Sequence, residues 1–377
     1  MKVVLIRSRY NPFGGAERFI ENALGALTEA DVELTVITRK WPTNANANIR
    51  NRIVDPFYLG SWWRDAGFAK AVCAALAEEK FDLVQSHERI ACCDVYRAGD
   101  GVHAEWLAQR KRVTSLGKQL SVKLNPHHRF LLSAERELFT SPRLKAVICN
   151  SEMVKGEIER HFGTAPEKLR VIRNAVDADK FHPGLKEAFR KDARKTANIR
   201  KAAPTYLFVG SGFERKGLVA FLIALADLPD NARGIVVGAD KRLVAFQAYA
   251  DQLGLTDRVY FTGGVEDVLP WYAAADVFVL PTLYDPLPNA VLEAMACGLP
   301  AITSPTCGAA ELIEEGKEGF VRDAIDGPAY ADAMQRAYDN REVMGAAARE
   351  RVLPFTPQRM AAEYVALYRE LLGLAPG

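Results

Sequence analysis

One stretch restricts the fold more than any other: residues 275–311, ADVFVLPTLYDPLPNAVLEAMACGLPAITSPTCGAAE. A short apolar run, Val277–Leu280, leads into a proline-broken loop that carries Asp285. A helix is predicted to open at Pro288 and to hold Glu293 one turn in. Proline is pre-set for the first helical position, and Gly298 followed by Pro300 supplies the stop. A strand, 301–303, follows at once, and Gly308 opens a further helix over 309–314. Such a unit belongs to a parallel sheet covered by helices. It holds two carboxylates eight residues apart, outside the carboxyl ends of the strands, where open α/β sheets bind ligands. Taken alone, Asp285 and Glu293 fit an ordinary βαβ unit with surface acids equally well.

The rest of the chain repeats that alternation. In the first half strand-like runs fall at 3–6, 34–38, 83–86, 146–149 and 171–172, with helical patterns between them such as 17–27 and 68–79. A second series has strands at 206–209, 234–237, 259–262, 277–280, 301–303 and 319–321. Residues 184–203 are rich in Lys, Arg and Ala and carry no strand, so 183–204 reads as a passage between domains. At 377 residues the chain exceeds the size at which one core keeps growing. The expected organisation is α/β: a Rossmann-like domain over 1–183, a second over 204–355, and a terminal helix over 356–377. That helix starts at Thr356-Pro357, with Met360, Tyr364, Leu367, Tyr368 and Leu371 as its apolar stripe. No run approaches eighteen apolar residues, so no membrane-crossing helix is expected. The start, MKVVLIRSRYN, has too short an apolar core for a signal peptide and reads as a first strand. The six cysteines, Cys73, Cys92, Cys93, Cys149, Cys297 and Cys307, show no metal spacing, and the expectation is buried free thiols in a reducing cytoplasm.

Several turns carry candidate chemistry. GSGFERKG (Gly210 to Gly217) follows a strand and opens a helix. Glycines let the backbone approach a ligand, a helix N-terminus favours an anion, and Arg215 and Lys216 add positive charge. The bland alternative is a solvated basic turn. NPFGGAERF places Gly14 and Gly15 between the first strand and first helix, as many βα turns do; Glu17 suits the helix start electrostatically. His87, Asp100 and His103 follow strand-like runs, although a lone histidine is more often a satisfied structural one. Asn150-Ser151 follows another run and is explained equally by helix capping. The loops Val237-Gly238-Ala239-Asp240-Lys241 and Phe261-Thr262-Gly263-Gly264-Val265 also sit after strands.

These motifs together resemble a known family. D-x7-E followed by A-x-A-x-G-x-P is similar to the E-x7-E region of the large retaining glycosyltransferase family that includes sucrose synthases, mannosyltransferases and lipopolysaccharide core glucosyltransferases. GSGFERKG resembles that family's G-x-x-F-x-R-K-G phosphate site, P-x-G-G-x-x-R its first loop, and Val147 to Ser151 its V-x-x-N-S step. The resemblance covers nearly the whole chain. It implies the GT-B fold, two Rossmann-like domains facing a cleft with the C-terminal helix crossing back to the N-terminal domain.

It also implies roles. Arg215 and Lys216 would hold the donor diphosphate in place of a metal, Asp285 the donor sugar, and Glu293 the ribose. Gly210, Gly238, Gly264 and Val265 would border phosphate and base; Pro288, Asn289 and Ala290 would border the sugar. Gly14 and Gly15 would reach donor and acceptor, with Asp100 and His103 beside the transferred sugar. Two departures bear on donor identity. The first acid is usually Glu rather than Asp285, and Pro288 stands where a glycine often offers an N–H. The implied reaction moves a hexose, glucose by first choice, from a UDP-sugar to a lipopolysaccharide core saccharide, with no cofactor and no metal. Other donors and acceptors (exopolysaccharide or O-antigen), a phosphorylase using pyridoxal phosphate, and a binding-only protein stay open.

Residues 106–134 stand apart. They carry Arg110, Lys111, Arg112, Lys118, Lys123 and Arg129 and no acid, interleaved with Trp106, Leu107, Val113, Leu116, Leu120, Val122 and Leu124. Such a segment attracts an anionic lipid surface, and a solvated basic face is the alternative. Nucleic-acid motifs are absent. The expected partners are therefore a nucleotide sugar and a lipid-linked saccharide, without nucleic acid. The expected location is cytoplasmic, peripheral on the inner face of the cytoplasmic membrane if 106–134 engages it.

Overall fold

The computed structural model describes residues 1–8, 33–41 and 50–375. It divides into two compact units, Met1–Asn174 with Pro357–Gly377, and Ala175–Thr356.

The first unit is built on strands β1 (Lys2–Ile6), β2 (Glu33–Thr38), β3 (Arg50–Ile53), β4 (Leu83–Ser86), β5 (Val95–Arg97), β6 (Ala146–Cys149) and β7 (Leu169–Val171). They form one sheet in the order β3-β2-β1-β4-β5-β6-β7, with every pairing parallel. KVVLI, LVQS and AVIC are buried almost throughout, as befits strands covered on both faces. β3, RNRI, is polar and mostly exposed, and no apolar run announced it. It is an edge strand, where charge blunts further pairing. The terminal helix Pro357–Leu371 clusters with this unit. Its Met360, Tyr364, Leu367 and Tyr368 are buried. Tyr364 Oη accepts from Arg97 Nε at 2.9 Å and Tyr368 Oη donates to Gln85 Oε1 at 2.7 Å.

The second unit contains β8 (Thr205–Val209), β9 (Arg233–Val237), β10 (Val259–Gly263), β11 (Val277–Leu280), β12 (Ala301–Thr303) and β13 (Gly319–Val321). The order is β10-β9-β8-β11-β12-β13, again parallel. Numbered within the unit this is 3-2-1-4-5-6, the doubly wound order. The helix Leu218–Ala226, LVAFLIALA, is apolar nearly all round and largely buried, as a helix between a sheet and a second helix must be.

Two expectations are corrected. The division falls between Asn174 and Ala175, not within 183–204. The basic run there forms a helix, Leu185–Thr196, that packs in the second unit against the helix Leu269–Ala274. Arg194 is buried, donating to Asp276 Oδ2 at 2.9 Å, Thr205 Oγ1 at 2.8 Å and the Ala274 carbonyl at 2.9 Å. Arg190 donates to Asp276 Oδ1 at 2.5 Å. Charge density suggested a solvated linker, but these guanidiniums have buried partners. The cysteines are not all free either. Cys73, on the helix Ser61–Glu78, forms a disulfide with Cys92, 19 residues on; the other four are buried thiols. That pairing is made by tertiary packing, which no local spacing signals.

Candidate active site

The order of the second sheet reverses between β8 and β11, and ligands of doubly wound sheets bind at such a switch point. Gly238 approaches the turn after β8 so closely that a Cβ on it would lie 2.2 Å from the Gly210 carbonyl oxygen. Gly217 has φ +78°, and a Cβ there would lie 1.8 Å from the Pro281 carbonyl oxygen. Glycine is required at both positions. The second contact sets the turn after β8 against the loop after β11. Leu283 N–H and Thr282 Oγ1 donate to the Arg215 carbonyl at 2.8 and 3.0 Å.

That seam brings together the two cations and the carboxylate singled out in the sequence. Lys216 Nζ pairs with Asp285 Oδ2. Arg215 Nη1 donates to the same oxygen at 3.2 Å and to the Tyr284 carbonyl at 3.0 Å. The Asp285 backbone is fixed in turn: its N–H donates to the Thr306 carbonyl at 3.0 Å, and its carbonyl accepts from Gly308 N–H at 2.8 Å. Asp285 and Lys216 are buried and Arg215 is half-buried. Two cations around one carboxylate leave a net positive cluster, suited to a second anion. Beneath it, burial and then the Asp285 charge push the Cys307 thiol up to about 12, so it stays protonated and unreactive.

Pro288 is the N-cap of the helix Asn289–Ala296, one position earlier than expected. Glu293 lies one turn in, buried, its Oε2 accepting from Tyr272 Oη at 2.9 Å. The loops after β9 and β10 adjoin, since a Cβ on Gly264 would meet the Ala239 side chain at 3.4 Å. Val265 packs partly against the core and Gly264 is exposed. Asp240, named above only as part of the loop after β9, accepts on Oδ2 from Phe213 N–H at 2.8 Å. An acid already sits where the sequence predicted an anion at the helix start, and the helix there is only Phe213–Lys216.

In the first unit Gly14, Gly15 and Glu17 lie outside the described residues. Asp100 is an exposed turn residue. His103 opens the helix His103–Lys111 and is buried. Its N–H donates to Glu135 Oε1 at 2.6 Å, and its Nε2 lies 3.0 Å from His128 Nδ1. Burial, then the positive charge of Arg89, lowers its pKa to about 3. His103 is therefore neutral at ordinary pH. Glu135, which also accepts from Arg89 Nε at 2.9 Å, went unnoticed, although it is the first acid after the acid-free stretch. His87 is buried with Nε2 3.1 Å from Gln85 Nε2. Burial, then Arg97 and Arg7, lowers its pKa as well. Ser151 Oγ accepts from Val154 N–H at 3.2 Å, an N-cap.

Residues 13–180 match the family described as Glycosyltransferase Family 4, and residues 203–340 match Glycosyl transferases group 1. The chain belongs to these glycosyltransferases. It is 27% identical over 325 residues to the lipopolysaccharide glucosyltransferase WaaG of Escherichia coli K12, covering 85% of each chain. It is also 27% identical over 390 residues to a D-inositol 3-phosphate glycosyltransferase of Geodermatophilus obscurus, covering 94% of this chain and 84% of the relative. In structure it is similar to WaaG, a glycosyltransferase involved in lipopolysaccharide biosynthesis, with a TM-score of 0.82 at 24% identity over 97% of this chain and 99% of that one. It also matches Anabaena Alr3699/HepE in complex with UDP and glucose, with a TM-score of 0.72 at 20% identity over 99% of this chain and all of the other. The two parallel-sheet units are those of the GT-B fold. No helix among the described residues is long and apolar enough to cross a membrane.

Proposed function

We propose that this glycosyltransferase moves a hexose, glucose in the first instance, from a UDP-sugar to a saccharide of the lipopolysaccharide core, with retention at the anomeric carbon. The observation that carries the reading is the meeting of Arg215, Lys216 and Asp285 at the switch point of the second sheet. A departing diphosphate gains negative charge in the transition state, and preorganised cations aimed at it stabilise that charge without a metal. Asp285 orients the sugar hydroxyls and Glu293 the ribose. The loops after β9 and β10 border the base, and the first turn of the helix Asn289–Ala296 offers backbone N–H groups where Pro288 has none. The acceptor hydroxyl attacks the face the diphosphate leaves, and a phosphate oxygen takes its proton.

The lipid-linked acceptor is supported by the relatives' chemistry and by the surface of 106–134. The helix Leu116–Leu124 buries none of its residues, and Leu116, Leu120 and Leu124 are exposed at four-residue intervals along one face. A groove of about 430 Å³ beside it is lined by Leu107, Leu120 and Leu132 with Arg110, Lys123 and Arg129. That combination suits an anionic amphiphile at a cytoplasmic leaflet.

The test is release of UDP on incubation with UDP-glucose and a core saccharide, run beside a panel of other nucleotide sugars and repeated with EDTA. Turnover with UDP-glucose that survives EDTA supports the reading. Turnover with another nucleotide sugar alone removes the donor assignment, and loss that magnesium restores removes the metal-free mechanism.

A further inference from the structure

The first unit exposes a second apolar surface that the catalytic reading does not use. From the loop after β3 into the first turn of the helix Ser61–Glu78 runs the sequence Phe57-Tyr58-Leu59-Gly60-Ser61-Trp62-Trp63. Phe57 is 75% exposed, Leu59 65%, Trp62 46% and Trp63 41%. Aromatic side chains of this size usually fill cores or interfaces, so four large apolar groups in seven residues call for an occupant.

The run is ordered. Phe57 and Trp63 pack edge to face with centroids 6.0 Å apart, and the Arg39 guanidinium lies 4.3 Å from the centre of the Tyr58 ring. The acids that flank it are neutralised. Asp55 Oδ1 accepts from Arg39 Nε at 2.8 Å, and Asp65 accepts from Arg64 Nε at 2.6 Å. Asp65 also joins this surface to the basic one. Its Oδ2 lies 2.9 Å from His127 Nε2, in the first turn of the helix Pro126–Phe139, which begins as soon as Leu116–Leu124 ends. Exposed Trp62 and Trp63 on one side and exposed Leu124 on the other therefore stand within three residues of a shared bridge.

We propose that the aromatic run 57–63 is a second membrane-inserting element, forming with the helix Leu116–Leu124 one face that docks on an anionic lipid leaflet. Trp and Tyr favour the headgroup level of a bilayer, and leucines with interleaved lysines lie flat in the same zone. Charge selects the leaflet over a second copy of this chain, which would set the acid-free basic stretch against itself. The proposal rests on the lipid-linked acceptor for its purpose, but docking is measured without acceptor or donor.

The experiment uses the whole chain with vesicles of neutral phospholipid alone or mixed with anionic phospholipid. Phe57→Ser/Trp62→Ser/Trp63→Ser is expected to weaken partition to both vesicle types, by roughly 30-fold or more for three large apolar groups. Replacing Lys118 and Lys123 by Gln is expected to remove only the anionic preference. Acyl chains brominated near the headgroup should quench tryptophan emission of the wild type. Trp62→Phe/Trp63→Phe should keep partition and lose most of that quenching. Circular dichroism and melting confirm that each variant is folded. Partition of the serine variant equal to wild type overturns the proposal. So does undiminished quenching in the Phe variant, or a serine variant that changes only self-association in sedimentation. Loss of UDP release in vesicle-free solution, with partition intact, counts against the transfer reading instead.

Discussion

Asp285→Asn separates the electrostatic role of the carboxylate from its shape. The Lys216 side chain is 10% exposed and that of Asp285 7%, whereas Arg215 keeps 38%. Removing the negative charge leaves a buried ammonium facing an amide, with a guanidinium of like sign beside it. Breaking a buried pair from one side costs about 3–5 kcal/mol. For a unit the size of Ala175–Thr356, 1 kcal/mol moves the melting temperature by roughly 2–4 °C, so the variant should melt roughly 6–20 °C below wild type. Asparagine keeps the volume, so no cavity contributes. If the cluster is a diphosphate site, UDP supplies the missing charge. The melting shift produced by saturating UDP should then be larger in Asp285→Asn than in the wild type, where the diphosphate shares its cations with Asp285. Lys216→Met should cost less, because Asp285 keeps the more exposed Arg215. Scanning calorimetry with and without UDP reads all three. A variant that melts within about 2 °C of wild type, less than one such kcal/mol, refutes the buried pairing. A UDP shift no larger than the wild type's refutes the anion-site reasoning.

The other predictions are briefer. Gly217→Ala should abolish soluble folded protein, since its Cβ would sit 1.8 Å from the Pro281 carbonyl oxygen at φ +78°; normal yield and melting would refute that contact. Glu293→Ala should weaken UDP binding by roughly tenfold to a hundredfold, the worth of a hydrogen bond to a charged group, in a calorimetric titration; unchanged affinity removes the ribose role. His103, held neutral with a pKa near 3, takes up its proton in the unfolded chain first as pH falls. Stability should therefore drop from about pH 6.5 down towards pH 3, by up to about 1.4 kcal/mol per pH unit. Urea midpoints at pH 7.5 and 5 for wild type and His103→Asn check this, and an identical slope in the variant refutes it. Thiol titration of the unfolded, unreduced chain should find Cys93, Cys149, Cys297 and Cys307 reactive and Cys73 and Cys92 not. Reaction at all six cysteines would refute the disulfide.

Which features were legible in the sequence follows from the range over which their physics acts. The two sheets were visible because strands buried on both faces must be short apolar runs and their crossovers must be helical. The turns at Gly217 and Gly238 were visible because a close backbone approach tolerates only glycine, a requirement written at one position. β3 was invisible for the complementary reason: an exposed edge strand needs no apolar pattern. The helix Leu185–Thr196 was mistaken for a linker because its arginines find their partner, Asp276, more than eighty residues away. Cys73 and Cys92, and His103 with Glu135, are likewise pairs made by the fold. The same limit applies inside the candidate site. Arg215 and Lys216 could be picked out as cations and Asp285 as an acid, but not as partners 69 and 70 residues apart. Their pairing adds a constraint on any mechanism here. A ligand that recruits Lys216 must draw it from Asp285, so if that ligand is the proposed donor, its binding and the freeing of the carboxylate are one event. A second anion near the cations would lower the cost of releasing Asp285 and leave its carboxylate available to a hydroxyl of the same ligand.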